Sequence, residues 1–201
     1  MGILSKLISY LIHPLLVPTI GTLFYFMVTP KYSPTELIMG NLIPIFILTA
    51  LIPLGSLLIL HQFGMMRSRL LLTSEERIYP LLIFLALLLL ILLRVIPNNF
   101  TVELYYFFMG IALSVTSCLL LALMGKVVSL HMVGIGTLLM FIVILSFHFE
   151  KNIVVAISLC TLCTGLLASA RLYLNRHGRA AVLTGWLIGL VSQLILVRFW
   201  L

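Results

Sequence analysis

Arg77, Ser129, His131, Arg171 and His177 are the side chains in this 201-residue chain whose types and spacing could do chemistry together. Arginine carries a planar fork of donors that fits a phosphate bidentately and stays charged at physiological pH. Histidine can attack phosphorus as the neutral imidazole or give up a proton as the imidazolium, and its ordinary pKa of about 6.5 suits both tasks. Fixed positive charge, hydrogen-bond donors, a nucleophile and an acid are what transfer of a phosphoryl group needs. Two histidines could divide the last two roles.

The elements that must position these residues are apolar helices. Hydrophobic residues make up 63% of the chain and charged residues 8%, and the mean hydropathy is +1.28. A soluble domain carries about a quarter charged residues, so lipid is the solvent for most of this chain. Each helix crossing a ~30 Å hydrocarbon layer takes roughly 20 residues. The sequence therefore predicts an all-α integral membrane protein, one transmembrane helical domain over 1–201, with short loops and no second domain. Apolar runs at about 7–29, 37–63, 78–96, 102–124, 131–149, 152–170 and 180–200 predict seven crossings. The first run continues through His13-Pro14 without a cleavage pattern and reads as a retained helix. Pro14, Pro18, Pro44 and Pro53 fall inside runs, which spans tolerate when neighbouring groups recover the freed carbonyls.

Consecutive crossings alternate sides. One face, A, then receives the amino terminus, the 67–77 loop, the 125–131 turn and the 171–179 loop; face B receives the other connections. Face A gathers Lys6, Arg67, Arg69, Arg77, Lys126, Arg171, Arg176 and Arg179 against Glu75 and Glu76, a net +6, while face B nets +1. Cytoplasmic loops favour Lys and Arg, which accounts for such a bias by topology alone; an anion site built from three loops accounts for it as well. Histidines on two of those loops favour the second explanation, because the topology rule asks for none. The basic residues lack the solvated face and interleaved aromatics of a nucleic-acid reader. Cys118, Cys160 and Cys163 lie in apolar runs and read as buried thiols. His13, His61 and His148, near kinks and helix ends, read as hydrogen-bonded structural residues, and no ligand spacing suggests a metal.

Ser169-Ala170-Arg171, then His177, then Val182-Leu183-Thr184-Gly185-Trp186-Leu187-Ile188-Gly189 resembles the third motif of the type 2 phosphatidic acid phosphatase superfamily, which runs Ser-Arg, five residues, His, three residues, Asp and a Gly-containing helix. Ser129-Leu130-His131 resembles its Ser-Gly-His second motif, and Arg69 to Pro80 loosely resembles its first, which runs Lys, six residues, Arg-Pro. The resemblance implies that family's helical core and a membrane-embedded phosphatase acting on lipid phosphates or diphosphates, such as phosphatidate or a polyprenyl diphosphate, without a cofactor or metal. It implies His177 as the nucleophile that becomes a phosphohistidine and His131 as the acid that protonates the leaving group. Arg77, Ser129 and Arg171 would form the phosphate cradle.

The departures are specific. Ala181 stands where the third-motif Asp would orient the nucleophile, and losing an orienting carboxylate costs orders of magnitude in other enzymes. Leu70 stands for the first-motif Lys, so Arg69 or Lys126 would have to replace it; Leu130 stands for the second-motif Gly. Glu75 or Glu76 is the nearest carboxylate that could substitute for the missing Asp. These changes define the alternative expectation, a catalytically degenerate relative that binds or moves a phospholipid headgroup. A channel or transporter finds no mid-span acidic residue in support. Bacterial members of that family place their site on the periplasmic side of the inner membrane, opposite to what the charge rule gives for face A, and the expectation here follows the resemblance.

Overall fold

The computed structural model describes residues 2–64, 73–96, 101–175 and 177–201, with side chains from Ser5 onward. Seven helices are long and apolar enough to cross a membrane: span 1 (Ser5–Val28), span 2 (Thr35–Gln62), span 3 (Glu75–Val95), span 4 (Val102–Leu123), span 5 (Leu130–His148), span 6 (Val154–Tyr173) and span 7 (Arg179–Phe199). There is no strand among the described residues. The chain is an integral membrane helical bundle, and the expected crossings agree with these spans to within about three residues at each end, the usual uncertainty of helix ends being one or two.

Spans 4 and 5 form the centre, with 56% and 61% of their membrane windows buried against 22–33% in the other five. Phe107 of span 4 stacks on Phe141 of span 5 with ring centroids 4.1 Å apart, and both are fully buried. The outer spans turn apolar side chains such as Leu54, Leu93, Leu159 and Leu194 outward, a surface that in lipid carries no burial penalty. Association in lipid depends on close packing, which small residues permit. Span 7 supplies Gly185 and Gly189, four residues apart, toward span 5. A Cβ on Gly189 would come within 2.3 Å of the Val133 carbonyl oxygen, and one on Gly185 within 2.7 Å of the Ser129 carbonyl oxygen. Span 7 therefore lies backbone to backbone against span 5.

Proline bends the first two spans. Span 1 is a helix from Gly2 to Leu11, a 3-10 turn over Pro14–Leu16 and a helix from Val17 to Val28. The segment before the break packs on span 6, the segment after it on span 5. Gly134 of span 5 makes room for the break, since a Cβ there would meet Val17 at 3.1 Å and Pro14 at 3.4 Å. In span 2 a π-helical turn, Ile47–Leu51, lies between Pro44 and Pro53. Proline lacks an N–H and its ring presses on the carbonyl four residues back; a wider turn relieves that contact. Hydroxyls take up local carbonyls, Thr22 on Pro18 at 2.8 Å and Thr49 on Ile45 at 2.8 Å.

Candidate functional site

The head of span 3 is fixed by a capping box. Thr73 Oγ1 accepts from the Glu76 N–H at 3.4 Å and Glu76 Oε2 accepts from the Thr73 N–H at 3.5 Å, the reciprocal pattern expected of Thr followed three residues later by Glu. That cap holds Arg77 at the membrane boundary, where it is 3% exposed. Its Nη1 donates to the Val128 carbonyl, in the turn before span 5. Its Nη2 lies 3.0 Å from His177 Nε2, in the loop before span 7. Arginine has no acceptor, so the histidine nitrogen must be the acceptor. The neutral His177 ring therefore carries its proton on Nδ1 and presents the Nε2 lone pair to Arg77.

The turn carrying Val128 has its own sequence logic. Span 4 ends in a Schellman motif: Gly125 adopts φ +74°, its N–H donates to Ala122, and the Lys126 N–H donates to Leu121 at 2.8 Å. The chain then reverses into Ser129, the residue preceding span 5. The Ser129 N–H donates to the Ala181 carbonyl at 3.0 Å, tying this turn to the first helical turn of span 7. The Ser129 side chain is fully buried, and its Oγ has no hydrogen-bond partner among the described residues. It stands at the N-terminus of span 5, where unmatched N–H groups and the helix dipole favour an anion.

His131 lies in the first turn of span 5, with Nε2 3.2 Å from the Ser9 carbonyl oxygen of span 1. A carbonyl only accepts, so Nε2 carries the proton and Nδ1 is the titrating nitrogen. Arg171, near the end of span 6, lies within electrostatic reach of His13, His131 and Arg77, and His177 within reach of His131. Three short connections on one face thus converge on one cluster. Of the expected site residues, Arg77, Ser129, His131, Arg171 and His177 come together. Lys126 stands on the exposed tip of its turn, and Arg69 lies outside the described residues.

Two contacts carry no signal in the local sequence. His13 is the structural residue expected, accepting the Leu15 N–H at 3.3 Å on Nδ1, and its ring also stands edge-on to His131 with centroids 5.3 Å apart. On face B, Glu103 is one of the charges that make up the net +1. Its carboxylate is 2% exposed as a residue and accepts from Lys31 Nζ at 2.8 and 3.0 Å, from His148 Nε2 at 3.0 Å and from the Tyr25 hydroxyl at 3.1 Å. This cluster joins spans 1, 4 and 5. Its members lie far apart in sequence, and only the alternation of crossings, which puts all four on face B, signalled it.

No family model matches the chain, and no curated protein or solved structure matches it.

Proposed function

We propose that this chain is a membrane-embedded lipid phosphate or diphosphate phosphatase of the type 2 phosphatidic acid phosphatase kind, working through a phosphohistidine. The observation that carries the proposal is Arg77 donating to His177 Nε2 beside the buried Ser129 hydroxyl at the head of span 5. A phosphate entering there takes the Arg77 guanidinium onto its oxygens and frees the lone pair it covered. Arg171 and the span 5 N-terminus supply the remaining positive field.

In the first step the His177 Nε2 lone pair forms a bond to phosphorus as the bond to the lipid oxygen breaks, and His131, entering the step as the imidazolium, gives its Nδ1 proton to that oxygen and is left neutral. In the second, water attacks the phosphohistidine, its proton passes to His131, and inorganic phosphate leaves. Water is the only co-reactant. The location of the cluster at the end of the spans suits a substrate whose chain stays in lipid while its headgroup enters from the face.

Hydrolysis of detergent-dispersed phosphatidate or polyprenyl diphosphate by the purified protein tests this reading; activity that His177→Ala leaves unchanged defeats it. Ala181, which cannot orient His177 as an aspartate would, favours a second reading as a headgroup-binding protein. Tight binding of a phosphate lipid with no turnover selects that one. The site is further proposed to face the periplasm of a bacterial inner membrane. With seven spans a reporter fused after Leu201 is then cytoplasmic, and a periplasmic reporter reverses the assignment.

A further inference from the structure

Span 1 contributes to the cluster in a way that none of the three motifs includes. The helix stops at Leu11 ahead of Pro14, and the last carbonyls of a helix are left without partners inside it. The Ser9 carbonyl takes His131 Nε2–H, and His13, one helical turn further on, sets its ring at 79° to the His131 ring. The span 1 break thus gives His131 both a hydrogen-bond acceptor and a wall. Gly134, one turn along span 5, is the residue that admits this break.

The histidine is not required for the backbone contact it makes. It occupies the capping position of the Pro14–Leu16 turn, where Asn, Ser or Asp serve as well or better. What a histidine adds is the ring. With Nδ1 accepting the Leu15 N–H, the ring beside His131 is fixed in place by its own backbone. The groups facing His131 are the His13 ring and the Ser9 carbonyl from span 1, Arg171 from span 6, and His177 from the loop before span 7.

We infer that His13 is a positioning residue: its ring, with the Ser9 carbonyl, fixes the rotamer and tautomer of His131 so that Nδ1 alone carries the proton delivered to the leaving group. The inference rests on the reading of His131 as the acid.

The test separates the cap from the ring. His13→Asn keeps an acceptor for the Leu15 N–H and removes the imidazole; His13→Ser is a second cap-preserving variant should the first fold poorly. Two readouts are taken on each detergent-solubilised protein: kcat and KM for a lipid phosphate across pH, and long-range ¹H–¹⁵N spectra of the histidine rings, which report the His131 tautomer without any turnover. The expected result is a kcat lowered on the order of tenfold with KM little changed, short of the ~10²-fold that an ångström of misplacement can cost, a shifted pH profile, and His131 passing from the Nε2–H form to a mixture. His131 signals that do not move in a folded variant overturn the inference, whatever happens to kcat. A shifted tautomer with wild-type kcat also overturns it. If the wild-type protein hydrolyses no lipid phosphate, the phosphatase reading is what fails, and the His131 spectra still decide whether His13 positions that ring.

Discussion

Arg77 Nη2 and His177 Nε2 lie 3.0 Å apart, linking the first turn of span 3 to the loop before span 7. Because the guanidinium can only donate, the pair fixes which histidine nitrogen bears the lone pair. The cation proposed to hold a phosphoryl group therefore lies on the nitrogen proposed to attack it.

Replacing Arg77 by Lys keeps the charge but loses the fork that reaches Val128 and His177 together. In Arg77→Lys, kcat for a lipid phosphate falls by about 10²–10³-fold, the cost of removing one preorganised donor from a developing charge. Steady-state hydrolysis by the purified variant measures it; a loss under about threefold would show that position 77 contributes charge alone.

Ala181 offers a gain-of-function test. It lies in the first turn of span 7, four residues after His177, and its carbonyl already holds the Ser129 N–H. A carboxylate suits a helix N-terminus, and orienting carboxylates are worth up to ~10⁴ in kcat elsewhere. Ala181→Asp should raise kcat at least about tenfold in the same assay. An unchanged or lower kcat, with binding of a phosphate lipid retained, would indicate that His177 is oriented in another way.

The contact between spans 5 and 7 sets the distance between Ser129 and the His177 loop. Gly189→Val forces a side chain into the Val133 carbonyl, where even a Cβ would lie at 2.3 Å. The variant should lose about 1–3 kcal/mol and melt at a lower temperature in detergent. Gly165→Ala is the matched control, because a Cβ there meets nothing within 4 Å. Equal melting of the two variants would remove the argument for close span packing.

Glu103 makes the opposite face testable without any assay of chemistry. Glu103→Gln leaves Lys31 and His148 with a weaker acceptor and should cost about 1–3 kcal/mol, the penalty for spoiling a buried hydrogen-bonded charge. Lys31, with a side chain 37% exposed, can turn to water and limits the loss. Thermal melts of this variant and of Tyr25→Phe should rank Glu103 above Tyr25; the reverse order would contradict the central place of the carboxylate.

The fold was readable because hydropathy runs of spanning length leave little freedom, and because alternation assigns each loop to a face without any knowledge of packing. The same alternation brought Arg77, Ser129, His131, Arg171 and His177 to one side before any contact was known. It carries no information about depth or direction. Lys126 and Arg77 both fall on face A, yet a capping box holds Arg77 inside the bundle while a Schellman turn leaves Lys126 exposed. The contact between His13 and His131 was not legible for a related reason: Pro14 marks a break in span 1, but only Gly134 and the Ser9 carbonyl show that the break packs against His131. Glu103 lacked a local signal altogether, since its partners Tyr25, Lys31 and His148 lie 45–78 residues away in sequence.

In the proposed reaction His177 Nε2 bonds to phosphorus. The most direct measurement is a rapid quench of the purified protein with ³²P-labelled phosphatidate or polyprenyl phosphate, followed by peptide mapping of the protein-bound label. Acid-labile, base-stable label on the peptide containing His177, absent in His177→Asn, is the expected result. Turnover of the labelled lipid at the wild-type rate by His177→Asn, or label on another residue, would contradict it.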